Sequence, residues 1–307
     1  MSSPFHRQRW LGMVLCAAAM VTVGSTVVAS RLIAAGLPPF TATALRFAVA
    51  TPLLWLLMRA TRTSWPRPGR RDAALLLAQA VAGSVGYTVL LILGMRHAPA
   101  ADVGVVAGTL PAVAALVSVL VLGERPGRAL KWSIALASAG VLAIALPQAL
   151  AARGAGGAGT GVFGHLLVLG AVACEATFIL LNKRLRLPVA PLALSATMSL
   201  LGLLACAGPA LAEQAWRAPM PPAALWATVY YAVVPGVLGF WLWFAGSSRL
   251  AGAEASLMTA VMPVSALALA ALVLGERITV WQVGGCALVL LAVVATALPG
   301  RRANTIS

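Results

Sequence analysis

Apolar stretches of about 20 residues recur along this chain, and few folds can accommodate them. Residues 11–30, 73–95 and 103–122 each run without a charged side chain. A helix of that length spans a bilayer, and a soluble core cannot absorb many of them. Ten spans are predicted: 10–31, 40–58, 73–93, 102–122, 129–147, 161–182, 191–211, 223–245, 254–274 and 281–298. A transmembrane barrel would show short alternating segments instead, and the sequence has none. The first span follows Arg7 and Arg9 as a secretory signal would. It is longer than a signal core and nine spans follow, so it reads as a retained helix.

Charge then orients the chain. Only 9% of residues are charged, yet the net charge is +15. Sixteen of the 22 Lys and Arg fall on the side of the N-terminus, five on the other, and Arg46 lies within a span. This is the positive-inside asymmetry, with both termini cytoplasmic. The basic excess therefore meets anionic lipid head groups rather than nucleic acid. Cys16, Cys174, Cys206 and Cys286 all fall inside spans without Cys-x-x-Cys spacing, which marks them as packing residues.

The second constraint is a repeat. "VLGER" occupies 121–125 and again 273–277, an offset of 152. At that offset, 94–125 and 246–277 share ten identities in 32 positions, including Gly94/Gly246 and Pro111/Pro263. Each half holds five spans, an odd number, so the second half enters the membrane from the opposite side. Inverted repeats are a common plan for secondary transporters, with a site near the midplane. The expected division is 1–150 for the first repeat, a Gly-rich linker at 151–160, and 161–307 for the second repeat with a short tail.

The fourth-span segments "TLPAVAALVSVLVLGER" and "AVMPVSALALAALVLGER", with "LRFAVA" in the second span, resemble the EamA branch of the drug/metabolite transporter superfamily. The YddG-type amino-acid exporters are the most similar group within it. The resemblance covers nearly the whole chain. It implies ten helices around a central cavity, a bacterial inner-membrane location, and export of amino acids or related small metabolites. Drug, organic-cation, nucleotide and sugar transporters share the fold and stay open as alternatives.

The residues themselves separate scaffold from chemistry. Glu124 and Glu276 end the doubled motif at the membrane surface, where a carboxylate beside the N-terminus of the next helix makes a structural turn. Pro111 and Pro263 sit near the middle of the fourth and ninth spans. There they are either static kinks or a symmetric pair of hinges. Charges without a repeat mate are the better site candidates. Glu175 aligns with Val23, and an intramembrane carboxylate costs roughly 2.5–3.5 kcal/mol on insertion scales, so it points to function. Val168, Ala171, Glu175, Phe178 and Asn182 share its helix face. Arg46 aligns with Met198 and lies near a helix end, where snorkelling to the interface gives it a structural role.

Gln79, Gly83 and Tyr87 follow at i, i+4 and i+8, and their mates are Tyr231, Pro235 and Gly239, with Trp243 beyond. Gln79, Tyr87, Tyr231, Trp243, Phe178 and Thr26 join Glu175 as the expected substrate-binding set. Trp243 also fits an interfacial aromatic belt. Small residues in the fifth and tenth spans suit close packing between halves or subunits, as in a monomer or weak homodimer. An intramembrane protease is disfavoured because His6, His97 and His165 lie at span ends or outside and no intramembrane carboxylates are paired. No phosphate-binding loop or metal-ligand spacing calls for a cofactor. A channel would need a continuous polar pore, and the polar groups here are sparse.

Overall fold

The computed structural model describes residues 4–110, 112–114, 116–117, 131–132, 134–143, 160–186, 189–250, 255 and 258–297. Ten helical spans appear among them, and no strand. They are α1 (Pro4–Ala34), α2 (Pro39–Ala60), α3 (Arg70–Met95), α4 (Ala100–Ala107), α5 (Ile134–Ala143), α6 (Thr160–Lys183), α7 (Pro191–Glu213), α8 (Pro222–Ser247), α9 (Val261–Leu274) and α10 (Val280–Ala297). α1, α2, α3, α6, α7 and α8 are long and apolar enough to cross a bilayer on their own. α5, α9 and α10 are shorter apolar helices. The chain is a multi-pass all-α membrane protein, built as two inverted five-helix repeats around a central cavity. The face on which α1 begins is called the near face, and the opposite one the far face.

The duplication is visible in the element boundaries. Adding 152 to Pro39 and Arg70, which open α2 and α3, gives Pro191 and Pro222, which open α7 and α8. Adding it to Met95 gives Ser247, the end of α8. Prolines begin α2, α7 and α8 because the first helical residue needs no N–H partner and proline presets φ.

The third helix of each half carries a π-helical segment at a matching position, Ala80–Gly86 in α3 and Val234–Gly239 in α8. An i→i+5 turn widens the helix and leaves backbone groups poorly paired, and such turns gather at functional sites. Gly83, Gly86, Pro235 and Gly236 lie in these segments, and all of them weaken regular α-helical packing.

The fourth helix of each half is also interrupted. α4 stops at Ala107 and turns at Gly108–Thr109 before the chain continues. Thr259–Ala260 form the corresponding turn, and α9 starts at Val261. Pro263 is thus the third residue of a helix, not a kink in the middle of a continuous one. Its ring faces α4, for a Cβ on Gly108 would lie 2.7 Å from the Pro263 Cβ. One turn away a Cβ on Gly104 would lie 2.6 Å from that of Ala266. Two broken helices therefore cross at bare glycine backbone. Pro111 and Glu124 lie outside the described residues.

Gly275 of the second doubled motif closes α9 in the left-handed region at φ 67°. That is the conformation a helix C-terminus favours and only glycine adopts freely. The turn aims Glu276 across to the first half. Its carboxylate accepts from the N–H groups of Ala100 and Ala101 at 2.9 Å each. It caps α4, not the following helix as the sequence suggests. Glu213, at the end of α7, does the same for α2, accepting from the N–H of Phe40 at 3.1 Å and of Thr41 at 2.6 Å. A side-chain cap stabilises a helix by about 0.5–2 kcal/mol.

Candidate functional site

The two halves enclose a cavity of about 430 Å³. Fourteen of its lining positions form seven repeat pairs. These are Val23/Glu175, Thr26/Phe178, Arg46/Met198, Phe47/Ser199, Gly83/Pro235, Ser84/Gly236 and Leu110/Met262. The cavity therefore straddles the pseudo-twofold axis near mid-membrane. Both π segments contribute to its wall.

Among the described residues the lining extends to one face. Asn182 and Phe244, in the last turns of α6 and α8, belong to it, as do Leu194 and Ser195 in the first turns of α7. All of these mark the near face. At the far face the helix ends are knitted together. Arg96 donates to the carbonyl of Leu37 at 2.9 Å, and Arg31 donates to the carbonyl of Met95. A Cβ on Gly36 would lie 2.8 Å from Pro221 and 3.0 Å from the Cβ of Ala224. The far face also holds a buried cluster between the halves. His165 Nε2 of α6 lies 3.0 Å from Asp102 Oδ2 of α4, and Gln282 of α10 donates to Asp102 Oδ1 at 2.6 Å. Gln282 is fixed in turn by Thr279 in a reciprocal cap of the T-x-x-Q type, at 2.8 and 3.2 Å.

Two charges of opposite sign face into the cavity. The Arg46 guanidinium sits 4.6 Å from the Phe47 ring centroid and 4.5 Å from that of Tyr231, and it donates to Thr88 Oγ1 at 2.8 Å. Such ring contacts are worth about 0.5–2 kcal/mol to a cation. With the hydroxyl they offset the cost of placing it between helices. Snorkelling to the interface, the role its sequence position suggests, is not what the side chain does. Glu175 lines the same cavity from α6. Its carboxylate accepts no hydrogen bond from a described residue, and it forms no ion pair with Arg46. The two groups thus share one chamber without a direct ion pair.

Of the residues expected from the sequence, Glu175, Phe178, Tyr87, Thr26 and Tyr231 line the cavity. Thr26 donates its hydroxyl to the Val23 carbonyl at 2.6 Å, one turn back in α1. Gln79 and Trp243 do not line it. Gln79 is fully buried, and neither polar atom of its side chain has a partner among the described residues. Trp243 lies in α8 with its carbonyl against Cys16. The sequence reading gave Arg46 a structural role and passed over Phe240. Its own rule, that an intramembrane charge without a repeat mate marks a site, picks out Arg46 as well as Glu175.

Inverted helical repeats, a chamber at their interface and access from one face define a membrane transporter. The chain belongs to the EamA-like transporter family, whose model matches it twice, over residues 10–146 and 162–298. Among its relatives is an uncharacterized transporter of Bacillus subtilis, YetK, 32% identical over 265 residues, covering 86% of this chain and 79% of that one. A probable terminal-alkyne amino-acid exporter of Streptantibioticus cattleyicolor is 31% identical over 216 residues, covering 68% of each. The pseudopaline exporter CntI of Pseudomonas aeruginosa is 35% identical over 102 residues, about a third of either chain. A solved crystal structure superposes with a TM-score of 0.60 at 22% identity, covering 94% of this chain and 96% of its own, which supports the fold.

Proposed function

We propose that this transporter exports amino acids or closely related small metabolites across the cytoplasmic membrane by alternating access. The observation that carries the reading is that Arg46 and Glu175 line one chamber without a direct ion pair. A zwitterion supplies a carboxylate for the guanidinium and an ammonium for the carboxylate. It replaces the water each charge loses on entering the site. Arg46 presents a planar fork suited to a carboxylate, and Tyr87, Tyr231 and Phe178 offer apolar surface to the rest of the molecule. A volume of about 430 Å³ fits a ligand of this size.

The positive charge on Arg46 disfavours a simple organic cation, which would gain from Glu175 and lose to Arg46. The amino-acid exporter among the relatives supports the same substrate class. The arginine and lysine asymmetry supports a cytoplasmic near face, onto which the cavity opens, and on this reading substrate loads from inside. The two repeats, joined by the linker at 151–160, rock about the crossed and broken helices α4 and α9.

Counterflow in proteoliposomes tests the substrate class. Radiolabelled amino acids, nucleosides, sugars and quaternary amines are exchanged against unlabelled excess. Saturable exchange confined to zwitterionic amino acids or their derivatives is expected. Exchange of quaternary amines alone would refute the assignment, and substrate-independent ion conductance would indicate a channel.

A further inference from the structure

The two halves share a backbone turn where α2 and α7 end, yet their charges differ there. At the far face α7 ends at Glu213, and Gln214 after it is left-handed at φ 49°. At the near face α2 ends at Ala60, and Arg62, the repeat mate of Gln214, is left-handed at φ 54°. Leu211, Glu213 and Gln214 have Arg59, Thr61 and Arg62 as mates. An acid is exchanged for a neutral hydroxyl, and two neutral residues for cations.

This exchange changes how a helix start is capped. Glu213 accepts from the N–H groups of Phe40 and Thr41 in the first turn of α2. The mates of those donors are Leu192 and Ala193, in the first turn of α7. Among the described residues neither of these N–H groups has an acceptor. Thr61 stands in the place of the carboxylate and does not do its work. Its hydroxyl donates to the Leu57 carbonyl at 2.8 Å and lies 2.9 Å from Thr63 Oγ1. Asp72 accepts from the N–H of Arg186 at 3.5 Å, ahead of the helix. Unpaired N–H groups at a helix start carry partial positive charge and favour an anion.

An apolar groove of about 330 Å³ reaches the same place. Thr61, Pro191 and Leu192 line its near-face end, and Leu54 lies about 10 Å deeper along α2. Phe240 and Phe244 line both this groove and the central cavity. Arg59 and Arg62 are exposed, and among the described residues neither forms an ion pair. The Arg59 guanidinium lies 4.7 Å from the ring centroid of Trp55, an exposed aromatic of the kind that sits at head-group level. Residues 59–71 hold five arginines and no acid.

We propose that this groove binds one anionic phospholipid of the near-side leaflet. Its phosphate sits at the start of α7 beside Arg59 and Arg62, and does for α7 what Glu213 does for α2. One acyl chain runs past Leu57 and Leu54 and lies against Phe240 and Phe244. Charge complementarity sets the lipid class, because a zwitterionic head group brings its own cation toward the arginines. The bound lipid is then the outer side of the wall whose inner side bounds the central cavity. The site is separate from that cavity and holds whichever substrate is carried.

Native mass spectrometry of delipidated protein, titrated with phosphatidylglycerol or with phosphatidylcholine of the same chains, tests this. One phosphatidylglycerol should bind at least about tenfold more tightly than phosphatidylcholine. Thr61→Glu supplies the carboxylate that the near face lacks. It should weaken phosphatidylglycerol by about tenfold or more, and it should raise the Tm of the lipid-free protein. Phosphatidylglycerol should raise the Tm of the unaltered protein and leave that of T61E where it is. Arg59→Gln/Arg62→Gln should abolish the preference for the anionic lipid, and Leu57→Trp, which fills the groove, should weaken both lipids. Equal binding of the two lipids by the unaltered protein would overturn the proposal. So would undiminished phosphatidylglycerol binding by T61E, or a Tm lowered by that substitution. Glycerol 3-phosphate giving the whole Tm gain would make this a site for a free anion, and would overturn the lipid assignment as well.

Discussion

Arg46 and Glu175 carry the chemistry proposed for the site, and their substitutions separate binding from folding. Arg46→Met removes the charge and keeps the length, and Met198, its repeat mate, shows that the fold accepts methionine at this position. Saturable amino-acid exchange should fall at least tenfold, a loss of about 1.4 kcal/mol in binding, while the detergent-solubilised protein elutes unchanged. Arg46→Lys should recover part of it, because a point charge keeps the attraction and loses the fork. Glu175→Gln should weaken substrates bearing an ammonium and should flatten the pH profile of flux. An unaltered profile in E175Q would remove this carboxylate from the mechanism. Glu276 has a different job. Glu276→Ala leaves the first N–H groups of α4 without an acceptor, so a loss of stability of about 0.5–2 kcal/mol is expected. Km should hold, and a raised Km with unchanged Tm would place Glu276 at the site after all.

At the scale of elements, the helices and their order were legible because apolar length and the 152-residue offset are global signals. Local geometry was less so. The π segments of α3 and α8 leave no periodicity to read, although "VAGSVG" and "VPGVLG" hint at weak helix. Pro263 marked the break in α9 but not its place, because the chain turns at Thr259–Ala260 ahead of it. The acid after Gly275 announced a cap, yet which helix it caps depends on packing between the halves. Arg46 was misread because its distance from a helix end favours snorkelling, while the Thr88 hydroxyl and two rings hold it inward. Gln79 and Tyr87 have the spacing of one α-helical face, but the π segment between them, Ala80–Gly86, shifts that register, and Gln79 is buried outside the cavity. The crossing of α4 and α9 yields a prediction at this scale. Gly104→Val would force a side chain against Ala266, where even a bare Cβ would sit 2.6 Å from its neighbour. Overpacking of this kind costs about 1–3 kcal/mol. Tm should drop accordingly, and an unchanged Tm with normal transport would mean the crossing is looser than described.

For the whole molecule, inversion is the organising fact. Neither half buries its own polar face, and together they make one chamber. Only one route is open here, and the far side is sealed by contacts between halves: Glu276 on α4, Glu213 on α2, and the Asp102–His165–Gln282 cluster. The charge asymmetry predicts that reporter fusions after Arg71 and after Arg186 both lie in the cytoplasm. Transport by alternating access requires the far side to open. Gly36 and Ala224 give direct control of that step, since a Cβ on the first would lie 3.0 Å from the Cβ of the second, within a small shift of disulfide geometry. The deciding measurement is amino-acid exchange by the Gly36→Cys/Ala224→Cys protein, oxidised and then reduced. Exchange should stop when the disulfide forms and return with reductant. Full exchange through a protein shown to carry the disulfide would contradict it.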